Sequence, residues 1–213
     1  MKLTRFCDFI RNLRREHNHY TVTLAEKLGI GVAELSKIEN NKAYISDDFI
    51  KSIIEIYSLD EQKQKQLTEL AEEANRLYAV KLMKSLGDEI FPITSCMVDS
   101  SKDIPSYSFQ IDRYYDSYII ANGDKSAVKV PYGVQVEVNI SYQKANTLLV
   151  TASVFQICLQ DNSGYQLPIK TLKEFFTVEQ TKEFVSQIVK AETSKEITLV
   201  LGSFGFKNSS IFV

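Results

Sequence analysis

The hydrophobic residues of the first 60 positions recur at helical spacing. An i, i+3, i+4, i+7 pattern predicts a first helix over residues 3–15, carried by Phe6, Phe9, Ile10 and Leu13. Two shorter amphipathic segments follow within residues 20–42 and meet at Gly29, whose access to positive φ suits a tight turn between helices. Ser46 can cap a fourth helix over residues 47–57. The pattern therefore predicts a compact helical region at the N-terminus.

The two short segments of residues 20–42 have the layout of a helix-turn-helix. In the first helix the residues expected to share the buried face are Val22, Leu24, Ala25 and Leu28, and in the second they are Leu35 and Ile38. Two short helices that cross over a glycine-containing turn can place the second helix in the major groove of DNA. The order LAEKLGI followed by LSKIENNK closely resembles the Cro/cI (Xre) family of phage and plasmid repressors. The resemblance covers residues 1–60.

This resemblance implies which side chains would contact DNA. The positions that would face base edges are Gly31, Val32, Ala33, Glu34, Ser36 and Lys37, and those that would contact phosphates are Thr21, Asn40 and Lys42. Val32 and Ala33 cannot hydrogen-bond a base and can contact only thymine methyl groups, whereas Lys37 can donate to guanine. An alternative is a helix-turn-helix that serves protein contacts or dimerisation.

A long helix is predicted to follow the helical region. Ser58 and Glu61 match a capping box at its start, and Gly87 is expected to end it after about residue 86. Because this helix is longer than a five-helix DNA-binding domain needs, part of its apolar face is expected to pack against a second protomer or against the C-terminal domain. The alternative is a solvent-exposed connecting rod.

Hydrophobic residues alternate with polar ones beyond residue 106, after a polar linker or surface loop predicted over residues 95–106. Asn122-Gly123 predicts a tight hairpin between two strands. Capping boxes at Thr171 and Thr177 predict a short helix over residues 172–176 and a longer one over 178–190. Residues 197–201 and 203–206 are interpreted as closing strands.

Together these patterns predict a multidomain fold in three parts. Residues 1–60 form an all-α helix-turn-helix DNA-binding domain, residues 61–90 a long connecting or dimerisation helix, and residues 91–213 an α+β interaction domain. The last is expected to be a mainly antiparallel sheet with helix packed on one face.

Charge changes this picture only locally. The chain of 213 residues has a formal net charge of −2, and residues 1–57 hold nine Lys/Arg against eight Asp/Glu. Arg5, Arg11, Arg14 and Arg15 lie together on or near the first helix. Any DNA affinity is therefore expected to come from local placement and from dimerisation, and to weaken with salt.

The sequence gives little support to catalysis or metal binding. His17 and His19 are the only histidines, which excludes a Ser-His-Asp or Cys-His arrangement in the C-terminal part. We therefore expect no enzymatic activity, no metal and no cofactor. The absence of an apolar leader and of a run long enough to span a membrane predicts a cytoplasmic protein.

The leading hypothesis is a DNA-binding repressor of phage or mobile-element type that regulates its own operon. It would bind a double-stranded operator as a homodimer, with half-sites roughly 34 Å apart, and residues 91–213 would serve oligomerisation or bind a host or phage protein. One alternative is a dual-function phage effector, such as an anti-CRISPR protein whose C-terminal domain inhibits a host nuclease. Another is the antitoxin of a toxin–antitoxin pair.

Overall fold

Seven helices and five strands make up the part of the chain that is described. The computed structural model describes residues 5–120, 127–160 and 163–206, and the side chains within these ranges except at 115–132 and 158–167. The chain divides into two compact units, Met1–Leu82 and Met83–Val213, called here the N-terminal and C-terminal units. The boundary falls inside the long helix, and the three-part division of the sequence stays a prediction.

Five helices are predicted from the first 90 residues and five are found. They are α1 (Arg5–Glu16), α2 (Thr21–Leu28), α3 (Val32–Ile38), α4 (Asp47–Tyr57) and α5 (Glu61–Ile90). The core of the N-terminal unit contains the predicted apolar residues of each helix, among them Phe6, Ile10, Leu24, Leu35, Ile53 and Leu67. Val22 is an exception, since 52% of its surface is exposed, and its expected place on the buried face of α2 is wrong.

The start of α5 differs from the predicted capping box. Ser58 adopts a left-handed conformation, with φ of 45°, and ends α4 instead of starting α5. Leu59 N donates to Ile54 O at 3.1 Å, which closes the last turn of α4. Asp60 caps α5 in its place, because its Oδ1 accepts from Lys63 N at 2.8 Å.

The end of α5 also differs, since the helix continues through Gly87 to Ile90. The reason is a residue 20 positions away in sequence. Tyr107 packs its ring where a Cβ of residue 87 would lie, and its hydroxyl donates to Met83 O at 2.9 Å. Glycine thus allows an aromatic ring to approach the helix and does not stop it.

Most apolar residues of α5 are buried within the chain. Leu67, Ala71 and Ala74 belong to the core of the N-terminal unit. Met83, Leu86 and Ile90 are fully buried. Because these residues are covered, the described face of α5 offers little apolar surface to a second protomer.

The C-terminal unit contains a five-stranded antiparallel sheet in sequence order. Its strands are β1 (Met97–Asp99), β2 (Ser106–Ile120), β3 (Ala127–Lys144), β4 (Thr147–Gln160) and β5 (Ser163–Thr177). Ile120 pairs with Ala127, which confirms the predicted hairpin. Asn122-Gly123, the predicted turn, lies outside the described residues. The predicted linker over 95–106 contains the short strand β1.

Alternation along the strands gives the sheet one apolar face. The buried residues on it include Phe109, Ile111, Val136, Val138, Val150 and Ala152. The helices α6 (Val178–Lys190) and α7 (Ser194–Ser203) follow the sheet, and α6 packs on β4 and β5 through fully buried Phe184 and Ile188. The predicted capping box of α6 is present: Gln180 N donates to Thr177 Oγ1 at 3.2 Å and Thr177 N to Gln180 Oε1 at 2.9 Å. The predicted α+β class is confirmed.

Three of the predicted elements near the end of the chain are wrong. Residues 172–176 are part of β5 and not a short helix, because Leu172 and Phe176 pair with buried residues of β4 and pairing overrides the local capping signal. The closing strands predicted over 197–206 are instead α7 and its end. Thr193 caps this helix by accepting from Glu196 N at 3.2 Å, and Gly205, with φ of 82°, terminates it.

No helix among the described residues is long and apolar enough to cross a membrane.

Candidate nucleic-acid interface

The turn between α2 and α3 requires a residue with positive φ. Gly29 has φ of 66°, and its N–H donates to Glu26 O at 3.1 Å. Ile30 N donates to Ala25 O at 3.1 Å, so the last carbonyls of α2 are satisfied within the turn. Leu24, Ala25, Leu35 and Ile38 are buried and hold the two helices together. The first half of the candidate interface is therefore a fixed scaffold.

The N-termini of α2 and α3 lack side-chain caps. Tyr20 and Gly31 precede these helices, and neither residue has a side chain that accepts a hydrogen bond from an N–H of the first turn. In contrast, Ser46, Thr177 and Thr193 cap α4, α6 and α7. Uncapped helix N-termini present backbone N–H groups and a partial positive charge, which suits an anion such as phosphate.

All six residues that sequence reasoning placed at base edges are exposed. They are Gly31, Val32, Ala33, Glu34, Ser36 and Lys37, and they surround the buried Leu35 and Ile38 of α3. Val32 exposes 44% of its surface. The structure thus exposes all six, with Gly31 just before α3 and the other five on it. Their contact with bases stays a prediction.

The three predicted phosphate-contacting residues differ in their surroundings. Lys42 is exposed, and Thr21 is half-buried at the first position of α2. Asn40 already has partners inside the unit: its Oδ1 accepts from Arg11 Nη2 at 3.0 Å, and its Nδ2 donates to Ser36 O at 2.6 Å. These bonds hold the end of α3 in place. They also occupy the Asn40 amide, which was predicted to contact a phosphate.

Glu39 is the centre of a charged network that sequence reasoning missed. Its carboxylate accepts from Arg14 Nε at 3.1 Å and lies 3.7 Å from Arg11 Nε. Only 6% of the Glu39 side chain is exposed, and 22% and 15% of the Arg11 and Arg14 side chains. Arg11 Nη2 also donates to Glu39 O at 2.9 Å. These bonds fasten the C-terminal end of α3 to α1, across 25 to 28 residues of sequence that carry no local pairing signal.

The arginines near α1 therefore contribute less to the exterior than the sequence suggested. Arg11 and Arg14 are directed into the network with Glu39, whereas Arg5, which pairs with Glu73 at 2.8 Å, keeps 78% of its side chain exposed. Arg15 is exposed. The expectation that four clustered arginines supply local DNA affinity is therefore corrected for Arg11 and Arg14. The exposed cations on α3 and in the loop that follows it are Lys37 and Lys42.

His17 and His19 pack on an aromatic residue of α4. Their ring centroids lie 4.7 Å and 5.6 Å from that of Tyr57, and His19 Nδ1 is 3.2 Å from the Tyr57 hydroxyl. Partial desolvation, together with the positive charges of Lys27 and His17, lowers the pKa of His19. Burial raises the pKa of Tyr57. His19 therefore packs on Tyr57, and its lowered pKa disfavours the charged form of the imidazole. No group of three His, Cys, Asp or Glu side chains within the described ranges is arranged to hold a metal.

The turn geometry and the buried faces of α2 and α3 define a helix-turn-helix. A family model described as Helix-turn-helix matches residues 10–64. The N-terminal region is thus a helix-turn-helix domain, which supports the resemblance to Cro/cI repressors over this region and is typical of DNA-binding transcription regulators. No curated protein and no solved structure matches the chain.

Proposed function

We propose that the protein is a transcriptional repressor that binds a double-stranded operator through α3, and that the C-terminal unit makes protein contacts. The observation that carries this proposal is the exposed set of six residues at Gly31 and on α3, within a region that matches the helix-turn-helix model. A helix of this width enters the major groove, and its outer residues then face base edges.

Phosphate binding rests on the helix N-termini more than on arginines. The uncapped first turns of α2 and α3 offer N–H groups, and Lys42 offers a flexible ammonium group. Contacts of this kind fix the register of a protein on the duplex. Because Arg11 and Arg14 are engaged by Glu39, the affinity of one unit for DNA is expected to be modest, and pairing two units on two half-sites raises it.

Base recognition would be divided between two chemistries. Lys37 donates to guanine O6 or N7, whereas Val32 and Ala33 contact the methyl groups of thymines. Glu34 accepts from a cytosine amino group. The resulting operator half-site is expected to place thymines opposite the first turn of α3 and a guanine opposite its last turn.

Selection from a pool of random duplexes tests DNA binding and identifies the operator sequence in one experiment. The full chain should enrich a family of duplexes with two related half-sites, and Lys65→Ala, an exposed lysine on α5, should enrich the same family. Enrichment of no sequence by the folded chain at low salt would contradict the proposal and favour a helix-turn-helix used for protein contacts.

Replacing thymine by deoxyuridine in the selected duplex tests the methyl contacts. Loss of one contacted methyl should weaken binding about fourfold, since one buried methylene-sized group contributes about 0.8 kcal/mol. Val32→Ser, which keeps only the Ala33 methyl contact, should distinguish the two duplexes less than the wild type does. A wild-type chain that does not distinguish them would refute methyl recognition while leaving DNA binding intact.

A reporter assay distinguishes the repressor role from the other candidate functions. A repressor lowers transcription from a promoter that carries the selected duplex, and Lys37→Ala relieves this repression. An anti-CRISPR effector or an antitoxin would instead have an activity that persists in Lys37→Ala and is lost when the C-terminal unit is altered.

A further inference from the structure

A cavity of about 210 Å³ lies in the N-terminal unit, lined by residues of α2, α3, α4 and the segments between them. Its apolar lining includes Leu28 and Ile30 beside the α2–α3 turn, together with the buried side chains of Ile38 and Phe49. Its polar lining consists of Glu34, Tyr44, Ser46, Asp48 and Ser52. An apolar surface with a few polar groups beside it is the usual composition of a small-molecule site.

The charged lining of this cavity is acidic. None of the nine described residues that line it is a lysine or an arginine. Glu34 is exposed, and its carboxylate bonds to no other described residue. Asp48 lies 3.8 Å from Lys51 Nζ with 94% of its side chain exposed, so we assign the charge that a ligand would meet to Glu34.

We propose that the cavity binds a small organic cation, which consists of a primary ammonium group on a compact hydrocarbon body. The ammonium group donates to the Glu34 carboxylate, and the hydrocarbon body lies against Ile38 and Phe49. An anion of the same shape is repelled by Glu34, and a neutral alcohol lacks the charge-assisted hydrogen bond. The volume is smaller than the about 300–1,000 Å³ of sites for drug-sized ligands, so the ligand is small.

Glu34 belongs both to the cavity and to the six predicted base-facing residues. An ammonium group held by Glu34 competes with a cytosine amino group for the same carboxylate. The ligand therefore lowers the affinity for the operator, and the operator lowers the affinity for the ligand by the same factor. This regulatory consequence rests on the proposed function, whereas the cavity itself does not.

Titration of the full chain with benzylammonium chloride in the absence of DNA, followed by amide NMR spectra, tests the cavity. The amides of its lining residues should shift and saturate with a millimolar Kd, and sodium benzoate at the same ionic strength should cause no such shifts. Glu34→Gln should raise the Kd about threefold, the size expected for an exposed charge pair. The matched control is Glu55→Gln, an exposed carboxylate on α4 outside the cavity, which should bind like the wild type.

A second variant, Ser52→Met, fills the cavity and should abolish the saturable shifts. The amide spectra also establish whether each variant is folded, and Glu34→Gln provides the test if Ser52→Met is not. A wild-type chain without saturable shifts would overturn the proposal, and so would equal binding of benzoate. Equal Kd values for Glu34→Gln and Glu55→Gln would refute the role of Glu34.

The regulatory consequence is tested with the selected duplex. Saturating benzylammonium should raise the Kd of the wild type for this duplex about threefold, the factor that Glu34 contributes to ligand binding. A folded Ser52→Met chain should show no such change at the same ionic strength. Equal effects on the two chains would refute competition at Glu34. Failure to select any duplex would instead contradict the proposed function, while the titration without DNA still decides the cavity.

Discussion

The two ends of α3 differ in how they are held. Its C-terminal end is fastened to α1 by Glu39 and Asn40, which bond to Arg11 and Arg14. Its first turn, residues 31–34, is exposed and has no side-chain cap. One end therefore positions the helix, and the other is left available for a ligand. The same contrast separates α2 and α3 from α4, α6 and α7, whose first turns are closed by Ser or Thr.

The fastened end predicts the largest effect on stability. Glu39→Gln removes the charge that two mostly buried guanidinium groups share, and we expect the free energy of unfolding to fall by about 3–5 kcal/mol. Glu34→Gln, on the exposed side of the same helix, should change it by less than about 0.5 kcal/mol. Urea unfolding measures both. Equal effects of the two variants would contradict the assigned difference between the two ends.

A substitution in the exposed first turn of α3 is expected to have the largest effect on DNA binding without a change in stability. Val32→Asp places a carboxylate where it favours the helix N-terminus but faces phosphates, so the melting temperature should hold while the Kd for the selected duplex rises at least about tenfold. The matched control is Leu199→Asp on α7, another exposed apolar residue. Comparable binding by both variants would place the DNA surface elsewhere.

Substitution of Asn41 is expected to have a smaller effect on the free energy of unfolding, of opposite sign to that of Glu39→Gln. It has φ of 51°, it is 5% exposed, and its side-chain amide bonds to no described residue. Asn41→Gly should therefore raise the free energy of unfolding by about 1 kcal/mol, since it removes a buried unsatisfied amide at a position that favours glycine. Asn41→Ala, which retains the strain of positive φ, should gain less than Asn41→Gly. A destabilised glycine variant would show that the Asn41 amide makes a bond that matters.

The smallest effect concerns pH. The pKa of His19 is lower in the folded chain than in the unfolded chain, so the folded state binds fewer protons. The contribution of His19 to stability is therefore present above its unfolded pKa, near 6.5, and is lost as pH falls through the folded pKa. Melting curves from pH 7.5 to pH 5 should show a steeper loss for the wild type than for His19→Gln. Parallel loss in both would assign the pH dependence to other groups.

Elements whose residues are close in sequence could be predicted. Helices α1 to α4 follow from i, i+3, i+4 spacing, and β3 from strict alternation, because each pattern records a single buried face. The start of α6 likewise follows from Thr177 and Gln180, three residues apart.

Elements that are decided by distant residues could not be predicted. Gly87 stays helical because Tyr107 packs on it, and residues 172–176 are extended because β4 pairs with them. For the candidate site, the exposure of the six α3 residues followed from the helix-turn-helix pattern. The fastening of Asn40 and Glu39 by Arg11 did not, since no local spacing signals a contact over 28 or 29 residues.

Binding of Lys37→Ala and Lys65→Ala to the selected duplex, measured at several salt concentrations, tests the central claim most directly. Both variants lose one exposed lysine, so a purely non-specific electrostatic attraction to DNA would be weakened equally in both. We predict that Lys65→Ala binds like the wild type, and that Lys37→Ala weakens binding by about 1–3 kcal/mol and relaxes the preference for guanine at one position. Equal affinity and unchanged preference in the two variants would contradict recognition of DNA by α3.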